Sequence, residues 1–161
     1  MITTAEGVSA WLDAGLRTIR ITDNDGDPLV DPRFETDIGR TVFRGKRKIE
    51  DLDVPCAVLH EGDDSVLEHA TGRIAKVKLG QRYILGGYAI CDADNPNDMA
   101  LTIIRDLKRM IFGSGKRDLN GQVYDVRYFG RAVGPRSDGS NIVFAIIEVE
   151  VEFVEDLTIP S

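Results

Sequence analysis

The chain has 161 residues, 42% hydrophobic and 29% charged. These are the values of an ordinary globular domain, long enough to bury one core without a metal or disulfide. A formal net charge of −7 argues against a protein whose main task is gripping a nucleic-acid backbone, while leaving room for a local basic patch. Cys56 and Cys91 stand in apolar, strand-like contexts without CxxC spacing and are read as reduced core residues of a cytosolic chain. No secretory leader opens the sequence, and no apolar run reaches the ~18 residues of a membrane span.

Thr3-x-x-Glu6 has capping-box spacing and predicts a helix from Thr3 to Leu16, with Val8, Trp11, Leu12 and Leu16 as its apolar stripe. Gly15 is read as its exit. The alternation from Leu16 to Ile21 predicts a short strand. Thr22 to Asp37 reads as a loop, because Asp, Gly and Pro dominate it. Its DNDGD core fails as a calcium loop: with Gly26 in the glycine position, Ile21 falls first and Pro32 twelfth, where a carboxylate is needed.

Gly39 to Lys48 brings together Arg40, Arg44, Lys46, Arg47 and Lys48, with Val42 and Phe43 interleaved. It predicts two short strands turning at Gly45. The bland reading is a solvated hairpin tip; the functional one is a basic arm that touches DNA or an acidic face on a neighbouring subunit. Val54 to His60 reads as an edge strand with Pro55 near its start. The polar run after it, EGDDSVLEHATG, reads as a loop, so that 22–48 and 61–72 are the expected flexible or partner-docking segments. His60, Asp63, Asp64, Glu68 and His69 show no metal-ligand spacing.

Arg73 to Leu79 alternates as a half-buried strand, and Gly80-Gln81 reads as a turn into a second strand, Arg82 to Cys91, apolar on both faces. Gly86-Gly87 inside it leaves room for a bulge or a close approach. A helix over Asn95 to Phe112 follows. Asn95 is its cap, Pro96 its first residue, and Ala100, Ile103, Ile104, Leu107, Met110 and Ile111 form its buried stripe. Gly113-Ser114-Gly115-Lys116 lacks the first glycine and the Ser/Thr of a phosphate-binding loop, and it leaves a helix instead of entering one.

Gln122 to Val133 and Asn141 to Phe153 read as a long C-terminal β-hairpin joined by GPRSDGS. Ile142, Phe144 and Ile146 make the early part of the last strand apolar on both faces, which marks them as candidate subunit contacts together with the basic residues above. Glu148, Glu150 and Glu152 share one face. They are either paired across the sheet, with Lys76 and Lys78 or with Arg127 and Arg131, or they form an acidic surface facing a channel or a basic partner. No G-x-S-x-G elbow is present, and no catalytic, cofactor or metal residue is named. Residue chemistry alone ends at one α+β domain over 1–161.

The layout goes further. The N-terminal helix Thr3 to Leu16, the segment IEDLDVPCAVLHEGD, the strand-then-helix YAICDADNPNDMALTIIRDLKRMIF and the strand VFAIIEVEVEFVED together resemble the tail terminator (tail completion, minor tail protein U-like) proteins of long-tailed bacteriophages. The resemblance spans most of the chain and is one of layout, without a short invariant motif. It implies an α+β fold: a mainly antiparallel β-sheet with two helices packed on one face. It also implies a structural virion protein, not an enzyme, made in the host cytoplasm and built without cofactor into the virion tail as a ring, typically a hexamer. The implied partners are the tail tube protein and the head–tail connector, with DNA passing unbound and no membrane involved. Glu148, Glu150 and Glu152 then become candidate lumen-facing acids. Alternatives are another head–tail joining or tail tube component, a small cytosolic enzyme with an unrecognised acidic site, and a nucleic-acid-binding module using Arg40 to Lys48.

Overall fold

The computed structural model describes residues 1–45, 48–50, 53–92, 94–134 and 140–158. The fold is α+β: two helices, α1 (Ala5–Arg17) and α2 (Pro96–Phe112), with a five-stranded, mostly antiparallel sheet. The strands are β1 (Val42–Arg44), β2 (Cys56–His69), β3 (Lys76–Ile90), β4 (Asp125–Val133) and β5 (Ile142–Asp156), in the order β1-β2-β3-β5-β4. Only β1 runs parallel to its neighbour.

Helix α1 starts one residue later than the capping-box spacing predicts. Thr4 is the N-cap, its Oγ1 accepting the Gly7 N–H at 3.0 Å. Gly15 does not end the helix, which runs on to Arg17; it lies against α2, where a Cβ would stand 2.6 Å from Met110 Sδ. Leu16 to Ile21 is no strand. An isolated bridge, Thr22 to Pro28, lies just beyond it, and Ile19 is fully buried. Thr22 to Asp37 is a loop closed by Asp37, which accepts the Ile21 N–H at 3.0 Å and the Thr22 hydroxyl at 2.6 Å.

Before Gly45 the expected strand is present as β1, paired in parallel from Val42 to Arg44 with Ala57 to Leu59 of β2, while the expected return strand at Lys46 and Arg47 lies outside the described residues. The first part of β2 is therefore no edge. Nor does β2 stop at His60: it continues through the acidic run to His69, so 61–69 is strand and not loop. Main-chain pairing with β3 sets its conformation, and a strand exposed on both faces leaves no hydrophobic period to read. Likewise Lys76 to Ile90 is one strand with no turn at Gly80. Gly80 is a point of close approach, where a Cβ would come within 2.8 Å of the Glu150 carboxylate.

Strands β3 and β5 pair residue for residue from Lys76↔Asp156 to Ile90↔Ile142 and form the spine of the sheet. One face of this spine is the core: Tyr83, Leu85 and Ala89 of β3 with Val143, Ala145, Ile147, Val149, Val151 and Phe153 of β5, all buried. Both helices touch it. Gly87 lies under Ile103 of α2 and Ile38, where a Cβ would meet side-chain carbons at 2.8–2.9 Å, and Tyr83 reaches Ser9 of α1. All six stripe residues of α2 are buried as its spacing requires. Their burial is worth on the order of 10 kcal/mol before chain entropy is charged against it. Neither helix is long and apolar enough to cross a membrane.

Candidate functional site

The opposite sheet face carries no helix contact of this kind and divides into a charged half and an apolar half. In the charged half the three glutamates of β5 meet three cations. Glu152 faces Lys78 at 3.5 Å and Arg127 at 3.7 Å; Glu150 and Glu148 face Arg82 at 3.7 and 3.1 Å. Glu150 and Glu152 are only 8% exposed, and their desolvation is offset by these opposite charges. Aromatic rings brace the cations from the other side. Lys78 Nζ lies 3.7 Å from the Tyr124 ring centre, and the Arg82 guanidinium 4.3 Å from that of Phe129. Lys78 and Arg127 were in the expected partner set; Arg82 was missed. Lys76 sits opposite Asp156 instead. Arg131 leaves the ladder because a bulge between Tyr128 and Gly130 shifts the later β4 residues by one, placing Arg131 opposite Ile147 on the core side. The ladder is thus charge-balanced.

In the apolar half, Ile142, Phe144 and Ile146 are half-buried beside Ile84 and Tyr88 of β3. Phe144 stacks on Tyr88 with ring centres 4.3 Å apart and planes at 19°. Gly86 makes this possible, since a Cβ there would meet Phe144 at 2.8 Å and Ile146 at 2.9 Å. The Gly86-Gly87 pair therefore serves close packing on both faces, and the register shows no bulge there. Ile90, at the end of this strip, is 59% exposed.

Of the basic residues, the described arginines pair with separate acids. Arg40 is tied to Asp37 at 3.7 Å, Arg44 to Glu61 at 2.8 Å, and Lys48 is exposed. Lys46 and Arg47 lie outside the described residues. Arg44 instead opens a polar chain that runs into the core. Glu61 accepts from Arg44 and, at 2.8 Å, from the Ser9 hydroxyl, and Ser9 lies 3.2 Å from the Tyr83 hydroxyl. The bonds from Arg44 and Ser9 hold the Glu61 carboxyl below its ordinary value, while burial pushes Tyr83 up to about 12. This chain fastens α1 to β2 and β3; its phenol stays protonated at any physiological pH.

Sequence reasoning also missed Asp106. It is fully buried on α2, where it accepts the Thr36 N–H and hydroxyl at 2.7 Å each and the Glu35 N–H at 3.0 Å. Burial pushes its pKa above the ordinary 3.8, against the opposing pull of those bonds. The only hint in the sequence was a carboxylate between Ile103 and Met110, within an otherwise apolar stripe.

The sheet ends in two open edges. β1 covers β2 only as far as Leu59, so no described strand borders β2 from Gly62 to His69. At the other end, β4 has β5 on one side only; the Val126 N–H on its outer rim is taken by the Arg117 carbonyl. Cys56 and Cys91 are buried and not joined in a disulfide. Among the described residues, no group of three His, Cys, Asp or Glu side chains is placed to hold a metal. No protein-family model matches the chain, and no curated protein matches it in sequence.

Proposed function

We propose that this protein is a structural subunit of a long-tailed phage or prophage, the terminator ring that caps the tail tube and joins it to the head. The reading rests on the layout resemblance, and the observation that carries it is the sheet face without helices. A sheet in a stable domain buries its apolar surface against a second layer. Here Ile84, Tyr88, Phe144, Ile146 and the exposed Ile90 form an apolar strip on the face that no helix covers. A surface of that kind is an association surface, and homotypic association closes most often into a symmetric assembly. The paired glutamates beside it supply a hydrated, charge-balanced surface. In this reading the lining of the ring neither attracts nor strongly repels a passing nucleic acid.

Light scattering behind a sizing column tests the proposal, run over a range of protein concentrations with and without purified tail tubes. The expected outcome is a discrete assembly of six 17.8 kDa chains, about 107 kDa, free or on the tube end. A chain that stays monomeric in both settings overturns the reading. A complex that forms on head connectors but never on tubes favours a head-side joining component instead.

A further inference from the structure

The two open ends of the sheet are complementary to one another. At one end, β2 runs past its β1 cover, and the residues from Glu61 to His69 are exposed one after another on both faces. Beyond Glu61, this arm is held by its pairing with β3. It carries Asp63, Asp64 and Glu68, which have no ion-pair partner among the described residues, and it exposes Val66 at 55% and Leu67 at 43%. Ordering a strand that buries almost none of its own apolar surface costs conformational entropy which the monomer does not recover.

At the other end, a groove of about 440 Å³ lies between α2 and β4, lined by Asn97, Leu101, Ile104, Arg131, Ala132 and Val133. Its apolar walls, Leu101 and Val133, are 43% and 44% exposed. Arg131 is the one charged residue that lines it, Lys108 follows Ile104 by one helical turn along α2, and neither has an acidic ion-pair partner among the described residues.

We propose that the β2–β3 arm of one copy of this chain seats against the α2–β4 groove of a second copy. Val66 or Leu67 enters the apolar groove, and Asp63, Asp64 and Glu68 face Arg131 and Lys108. Arm and groove lie at opposite ends of the sheet, so the contact is head-to-tail. Each copy offers one of each, and the chain of contacts either closes into a ring or grows as a filament. The inference rests on the terminator reading only for closure; the contact itself stands on the two surfaces.

Charge reversal tests it, by sedimentation velocity at low and high salt, under whichever condition the wild type assembles, free or on tail tubes. Asp63→Lys with Asp64→Lys makes the arm basic; Lys108→Glu with Arg131→Glu makes the groove acidic. Each double variant alone is expected to associate at least about tenfold more weakly than wild type. Mixed in equal amounts they recover association, because a basic arm then meets an acidic groove and the reverse. Circular dichroism verifies that each variant is folded. Variants that assemble like wild type, or folded variants whose mixture does not recover, overturn the arm–groove contact and leave the ring reading standing. An open filament that the same substitutions dissolve keeps the contact and removes the ring. A wild type that is monomeric in every setting removes both.

Discussion

Asp106 fixes the long N-terminal loop to the core. Three donors from Glu35 and Thr36 converge on one buried carboxylate, and the loop has few other ties of that strength. Asp106→Ala is expected to lower unfolding stability by about 3 kcal/mol, because it strands two backbone N–H groups and a hydroxyl away from water. Urea denaturation measures the loss. Thr36→Ala, which removes the hydroxyl alone, is expected to cost about 1 kcal/mol. Glu61 gives a pH test. Its carboxyl is depressed below the ordinary 4.5, so it binds protons less readily folded than unfolded. Its contribution is complete above pH 4.5 and is lost as pH falls through the folded value. Glu61→Gln is therefore expected to flatten the acid limb of a stability profile below pH 4.5. At pH 7 it costs less than about 1 kcal/mol, since the half-exposed pair with Arg44 is screened by solvent. Neither residue announces its role in the sequence. Asp106 occupies a position that helical spacing leaves ambiguous, and the partners of Glu61 come from two distant elements, α1 and β1.

Among the elements, the glycines separate what was legible from what was not. Gly113 ends α2 as its place after the apolar stripe implies. Gly15 and Gly80 were read by the same habit, as punctuation, and both are instead points of close contact inside continuous elements. A lone glycine has the same signature in either role, and only the neighbouring element decides. Gly39 is the strictest case. A Cβ there would run into the Leu16 and Ile19 backbone, which cannot give way as a side chain can. Gly39→Ala is expected to cost about 3 kcal/mol, and Gly15→Ala, facing the flexible Met110 thioether, less than half of that; thermal unfolding of the two variants makes the comparison. The span and apolar stripe of α2 were legible because one face is buried and one is wet, although Asn95 stands at the N-cap without a side-chain hydrogen bond. The outer half of β2 was not, because it has no buried face at all.

For the molecule as a whole, the α+β class and the order of the main helices and strands followed from periodicity. The order of strands within the sheet did not: nothing local says that β1 runs parallel to β2, or that β5 inserts between β3 and β4. The candidate assembly surfaces divide the same way. Ile142, Phe144 and Ile146 were visible as a strand apolar on both sides, whereas the groove between α2 and β4 depends on a packing that no single segment encodes. Substitutions in the arm touch no core residue, so the unfolding midpoint of the monomer is expected to stay put while association changes.

Placing β5 in the middle of the sheet also sets an order of events during synthesis. The strand that joins β3 to β4 is translated after every other element described here, so until it emerges from the ribosome β3 has a bare flank more than a dozen residues long. The nascent chain holds a helix pair and a β2–β3 hairpin with half of their core missing. The sheet therefore cannot close until β5 has emerged, and a ribosome paused before Ile142 would expose an adhesive, half-built sheet to the cell.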